Sequence, residues 1–204
     1  MTTALAQRAL PFAKPAVLLI CDMQEKFRPA IYHFDHVLST ADKLVKAAQI
    51  LEIPTLATEQ YPKGLGPTVP ELASEIRGVK EHAIRDKSTF SMAANGLVLD
   101  MLKSASGKSL QYTDVEFILC GIESHVCVLQ TALDLTHAGA RVHVVRDGIS
   151  SCNRNEVPIA VDTMRAAGAT VSTSESLLFQ LLAISGLIRD TKVRTAHAVE
   201  TLCS

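Results

Sequence analysis

Hydrophobic positions along this chain follow two rhythms. Unbroken apolar runs at 16–21 and 117–120, the latter the core of a strand predicted over 115–120, alternate with stretches in which apolar residues recur every three or four positions. A run of strand length without polar interruption marks a strand buried on both faces of a parallel sheet, and the second rhythm marks an amphipathic helix. The first run ends at Asp22. Val37, Leu38, Ala41, Leu44, Val45, Ala48 and Leu51 then keep helical spacing. Residues 54–60 read as a second strand and 81–87 as a third, the latter alternating less cleanly. A short helix carries Leu97, Leu99, Met101 and Leu102, and residues 104–111 are polar and turn-rich.

The stretch at 115–120 is the fourth strand. The pattern breaks at Gly121 and restarts as a helix from Ser124, with Val126, Leu129, Ala132, Leu133 and Ala138 predicted to face the sheet. Residues 141–147 form the next strand, 150–155 a loop and cap, and a helix follows through Met164 to a stop at Gly168. A short strand at 170–173 and a helix capped by Ser174 and Glu175 complete the pattern. Strands alternating with helices predict a right-handed, mostly parallel sheet covered on both faces, an α/β fold of three-layer α/β/α sandwich type. Residues 1–204 are expected to form a single domain, with 1–14 a loose N-terminal arm and 185–204 a helical tail.

Composition narrows the class. At 204 residues, folding buries roughly 70% of the unfolded surface, so the core needs no disulfide or metal staple. A net charge of −1 leaves no electrostatic footprint for nucleic acid. No apolar run approaches the roughly 20 residues of a membrane span. Five cysteines without C-x-x-C spacing argue for reduced thiols and a cytoplasmic location. The alternative is mitochondrial, because residues 1–11 lack acids and carry Arg8.

Candidate chemistry gathers at strand ends, where open α/β sheets place their ligands. Cys127 lies in the first turn of the helix after the fourth strand, an environment that favours a nucleophilic thiolate. Asp22 terminates an apolar strand, where a charge needs a partner, and Lys87 at the end of the third strand is one candidate. A carboxylate beside such a thiol serves as its base while a cation stabilises the ion pair. Phe27, Gln60, Tyr61 and Phe90 flank these positions as candidate substrate-pocket residues, and His125 reads as a surface or interface group. Cys21 and Cys120 read as buried strand residues. Residues 61–70, rich in Pro and Gly, form an irregular loop over the same rim.

Three segments carry a family resemblance. They are Leu19-Ile20-Cys21-Asp22-Met23-Gln24-Glu25-Lys26-Phe27, Lys87-Ser88-Thr89-Phe90-Ser91-Met92 and Cys120-Gly121-Ile122-Glu123-Ser124-His125-Val126-Cys127. In this order the chain resembles the cysteine hydrolases of the isochorismatase-like superfamily, which include nicotinamidases and N-carbamoylsarcosine amidase. The resemblance runs from about residue 15 to about residue 183, and residues 58–70 look like the branch of isochorismatase-domain-containing proteins.

The resemblance implies Asp22 as general base, Lys87 as its electrostatic partner and Cys127 as nucleophile. It also implies a cis peptide between Ile122 and Glu123, with the backbone N–H groups of Glu123 and Cys127 forming an oxyanion hole. The expected activity is hydrolysis of a small amide or related acyl compound through a thioester. The alternatives are a catalytically weak binding or assembly protein on the same scaffold and a vinyl-ether hydrolase of true isochorismatase type. Vinyl-ether cleavage needs no thiol, so Cys127 favours acyl chemistry. Nicotinamidases bind a metal through an Asp-x-His pair after the second strand, where this chain has Glu59-Gln60-Tyr61, and His33, His36 and His82 lie on other segments. No metal and no cofactor are therefore expected. The predicted partners are a small-molecule substrate and further copies of the chain, as a dimer or tetramer, without nucleic acid or membrane.

Overall fold

In the computed structural model, which describes residues 12–185, the first apolar run is β1 (Ala16–Cys21). Its side chains divide by the two-residue period of a strand: Leu18 and Ile20 enter one hydrophobic cluster, Val17, Leu19 and Cys21 the other. β4 (Glu116–Ile122) divides the same way, with Ile118, Cys120 and Ile122 on one side and Phe117 and Leu119 on the other. Two cores on opposite faces explain why neither strand shows polar alternation.

β2 (Thr55–Gln60), β3 (His82–Lys87), β5 (Arg141–Ser150) and β6 (Thr170–Ser172) complete a six-stranded sheet in the order β3-β2-β1-β4-β5-β6. Every pairing in it is parallel. One face is covered by α1 (Phe34–Leu51), α3 (Pro70–Arg77) and α7 (Ser174–Ser185). The other is covered by α4 (Leu97–Ser106), α5 (Leu129–His137) and α6 (Glu156–Ala166). The three-layer sandwich predicted from the alternation is therefore the architecture. The chain runs outward from β1 to β3 and returns to β4 on the other flank of β1, so the switch point lies between β1 and β4. Among the described residues, no helix is long and apolar enough to cross a membrane.

Several local expectations are corrected. Gly121 does not end the fourth strand. It pairs with Cys21 inside the sheet at φ +113°, and a Cβ there would lie 2.2 Å from the Cys21 carbonyl oxygen. Glycine permits both the backbone angle and the close approach of the two strands. β5 likewise continues to Ser150, because a bulge shifts its register from Leu119↔Val144 to Gly121↔Ile149.

The segment 61–70 contains a one-turn helix, α2 (Pro62–Leu65), and Thr68 forms an antiparallel bridge with Gln24. α3, which periodicity did not predict, buries Leu72, Ala73 and Ile76 after a proline at its start. Within the expected loose arm, Phe12 is buried and stacks on His143 at 4.4 Å between ring centroids. Residues 1–11 and the tail from 186 lie outside the described residues.

Candidate active site

Asp22, the first residue past β1, has φ +51°, a left-handed conformation that a residue with a side chain adopts at a cost of about 1–3 kcal/mol. β2 holds it there: the Asp22 N–H donates to the Thr58 carbonyl at 3.2 Å, and the Thr58 hydroxyl donates to Asp22 Oδ1 at 2.8 Å. Lys87, the last residue of β3, reaches across β2 to place Nζ 2.7 Å from Asp22 Oδ2. The same ammonium donates to Gln60 Oε1 at 2.7 Å, to the Thr89 carbonyl at 3.1 Å and to Cys127 Sγ at 3.5 Å. Both side chains of the ion pair are essentially inaccessible, whereas Cys127 retains 7% exposure. The three residues named from sequence thus form one buried cluster.

Its electrostatics follow from burial and contact. Desolvation raises the Asp22 carboxyl above its ordinary range, against the pull of the Lys87 ammonium and the Thr58 hydroxyl. Desolvation also opposes charge on Lys87, but the neighbouring Cys21, Asp22 and Cys127 outweigh it and hold the ammonium above its usual value. The result is a carboxylate of raised proton affinity beside a persistent cation.

Cys127 is carried by a turn of unusual pitch. The Ile122–Glu123 peptide is cis. Ser124–Val128 then forms a π turn, in which the Val128 N–H donates to the Glu123 carbonyl at 3.1 Å. A π turn spends an extra residue, so Val128 of the turn and Thr131 and Leu135 of α5 are buried beside Ala132, the one fully buried residue of the face predicted from Ser124 onward. Val126 and Leu129 are half-buried, and Ala138 is exposed.

Residues that sequence patterns did not single out fix this turn. Ser151 Oγ lies 2.5 Å from Ser124 Oγ and 2.9 Å from His125 Nδ1, so His125 is part of the turn's support and not a free surface group. The Cys152 N–H donates to Glu123 Oε2 at 3.1 Å. Thr131 donates its hydroxyl to the Cys127 carbonyl at 2.7 Å and accepts from the Met92 N–H at 2.9 Å, joining α5 to the loop after Lys87.

The fully buried Gln24 pins the loop opposite. Its amide nitrogen donates to the Gln60 carbonyl at 3.0 Å and the Gly66 carbonyl at 2.6 Å, and its Oε1 accepts from the Gln60 N–H at 2.8 Å. Glu59 Oε1 accepts from the Thr68 N–H and hydroxyl at 2.7 and 2.8 Å. Positions 59–61 thus do not fit a nicotinamidase-type metal: Glu59 holds a loop, Gln60 holds Lys87, and no histidine stands there. Of the candidate pocket residues, Gln60 reaches the cluster through Lys87, while Tyr61 and Phe90 are exposed at 62% and 57%. Phe27 is half-buried and packs on the α1 side of the core.

The isochorismatase domain family model matches residues 16–176, a span that contains every member of this cluster. The chain belongs to the isochorismatase family. Isochorismatase domain-containing protein 2 of Danio rerio is 46% identical over 169 residues, covering 83% of this chain and 80% of that protein. The Homo sapiens protein of the same description is 44% identical over 175 residues, covering 86% and 78%. Among solved structures, that of the MAR1 ribonuclease from Caenorhabditis elegans is 38% identical with a TM-score of 0.78, covering 94% of this chain and 91% of that one. Membership in the isochorismatase family supports assignment as a hydrolase.

Proposed function

We propose that the chain is a metal-independent, cysteine-dependent hydrolase of a small amide or related acyl substrate. The observation that supports this most is the Lys87 ammonium, buried within 2.7 Å of a carboxylate and 3.5 Å of a thiol at the sheet's switch point. In the proposed cycle, Asp22 takes the Cys127 proton and the thiolate attacks the carbonyl carbon. The N–H groups of Glu123 and Cys127 receive the developing oxyanion; loss of one such donor typically lowers rate on the order of 100- to 1000-fold. The C–N bond breaks as Asp22 returns its proton to the departing amine, leaving a thioester. Water then attacks, giving a proton to Asp22, and the C–S bond breaks to release a carboxylic acid and regenerate the thiol. Lys87 stabilises the negative charge as it passes between Asp22 and Cys127 in both halves.

The test is a panel of small amides, with the acyl-enzyme sought by intact mass. The expected result is turnover by wild type, none by Cys127→Ala, and a transient mass increase on the peptide containing Cys127. If folded Cys127→Ala matched wild type on every substrate, the proposal would be wrong.

The C. elegans relative, described as a ribonuclease, favours a second reading in which the substrate is RNA. Incubation with single-stranded RNA separates the two. Cleavage that disappears in Cys127→Ala would place phosphodiester hydrolysis at this site. Cleavage that persists in the variant would belong to another nuclease in the preparation.

A further inference from the structure

Hydrolysis through Cys127 leaves one neighbouring group without a role. The side chain of Cys21 points to the same face of the sheet as the nucleophile, and the two cysteines share one buried cluster. Cys21 Sγ, Cys127 Sγ and an Asp22 carboxylate oxygen all lie within 4.8 Å of one another. Cys21 Sγ–H also donates to Asp22 Oδ2 at 3.6 Å. The strand carrying Cys21 is pinned against Gly121 by the close approach described above, so the backbone that carries this sulfur is fixed. Cys120, one residue before that glycine, faces the opposite core; burial raises the thiols of both Cys21 and Cys120, so it is position and not proton affinity that distinguishes them. The Cys21–Cys127 proximity therefore separates these two thiols from Cys120.

We infer that Cys21 and Cys127 form a second reaction centre, which reduces a hydroperoxide and stores the oxidation as a Cys21–Cys127 disulfide. This rests on the reactivity of Cys127 in the proposed function but not on acyl chemistry. In the first step the Cys127 thiolate attacks the terminal peroxide oxygen. The O–O bond breaks, water or an alcohol leaves, and Cys127 becomes a sulfenic acid. In the second step Asp22 takes the Cys21 proton and the Cys21 sulfur attacks the Cys127 sulfur. The S–O bond breaks, and the departing hydroxide collects the proton from Asp22 as water. Two thiols and one peroxide give one disulfide and two molecules of water, or one of water and one of alcohol. An S–S bond is about 2.05 Å long, so from a separation within 4.8 Å the sulfurs must approach by under about 3 Å. The 7% exposure of Cys127 admits a small peroxide, while fully buried Cys21 meets the oxidant only through its neighbour. Oxidation in this form removes the nucleophile reversibly and shields it from sulfinic acid.

The experiment uses the full reduced chain and hydrogen peroxide. Iodoacetamide labelling of Cys127 is measured before treatment, after two or more equivalents of peroxide (the number that carries a thiol to sulfinic acid), and after subsequent dithiothreitol, alongside a non-reducing peptide map. Wild type is expected to lose about 2 Da and two of its five thiols, to yield a linked peptide pair carrying Cys21 and Cys127, and to recover labelling with dithiothreitol. Cys21→Ala and Cys21→Ser are expected to label before treatment but to fail to recover, with Cys127 found as sulfinic acid. If Cys127 links instead to exposed Cys152, or stops at sulfinic acid in wild type, the assignment of Cys21 fails while the nucleophile stands. If reduced Cys127 does not label at all, both fail.

Discussion

Lys87→Met tests the cluster most directly, because methionine keeps an unbranched side chain that ends at the Cε position and removes the charged nitrogen. Four contacts disappear with the ammonium: Asp22, Gln60, Thr89 and Cys127. Removing one partner of a buried ion pair costs about 3–5 kcal/mol. Asp22 relieves part of this by taking a proton, since its carboxyl is already raised by burial and loses the cation opposing that shift. The expected destabilisation is therefore toward about 3 kcal/mol, read as a lower urea midpoint at unchanged slope.

Reactivity should fall as well. At 3.5 Å and an effective dielectric of about 20, an ammonium attracts a thiolate by about 5 kcal/mol. Much of that is cancelled by Asp22, 2.7 Å from the same nitrogen, so a slowing of Cys127 alkylation by at least about tenfold is expected at neutral pH. Alkylation followed by peptide mass gives the rate at Cys127 alone. A folded Lys87→Met protein with wild-type stability and a wild-type alkylation rate would refute the coupling of this cation to either neighbour.

Gly121→Ala places a Cβ 2.2 Å from the Cys21 carbonyl at φ +113°; a loss of at least about 3 kcal/mol in urea unfolding is expected. Gln24→Ala leaves the Gln60 N–H and the Gly66 carbonyl without their partner, at about 1–3 kcal/mol each; faster amide exchange across residues 61–69 is the readout. If hydrolysis requires ionised Asp22, its raised carboxyl moves the acid limb of the rate above the roughly pH 3.9 of an unperturbed aspartate. The stability sign is opposite. A raised folded value means that Asp22 contributes most below its unfolded value and loses that contribution as pH rises through the folded one, a dependence that Asp22→Asn should abolish in urea titrations.

Much of the fold was legible because both apolar runs are buried on two faces, which leaves an unmistakable pattern. The strand ends were legible for the same reason: Asp22 and Lys87 are where apolar or alternating runs stop. Patterns failed where backbone geometry departs from the standard repeats. Gly121 looks like a terminator but is a paired strand residue, since what distinguishes the two roles is a contact with Cys21 about 100 positions earlier in the chain. The π turn altered the phase of α5, which hydrophobic spacing alone cannot report. α3 was missed because eight residues give too few repeats to establish a period. The supports Thr58, Ser151 and Thr131 carry no sequence signature, being ordinary hydroxyl residues until a distant segment is folded against them.

These hydroxyl supports also bear on what the cluster is for. A buried ion pair is weak evidence of stability, because desolvation offsets much of the attraction. Here the pair is held by contacts from several elements: Thr58 from β2 on the carboxylate, Gln60 and Thr89 on the ammonium, and Thr131 on the backbone of the thiol's residue. An arrangement serving stability alone would be replaceable by apolar side chains of similar volume. One serving chemistry needs orientation, and orientation is what a second hydrogen bond on each partner supplies. The contrast with Glu116 supports the distinction. That carboxylate is equally buried and paired with Arg141 and His143 at 2.8 Å each, but it lies at the opposite end of β4, far from the switch point, with no thiol beside it. One buried carboxylate anchors the start of the sheet, and the other is aligned with an ammonium and a thiol at its end.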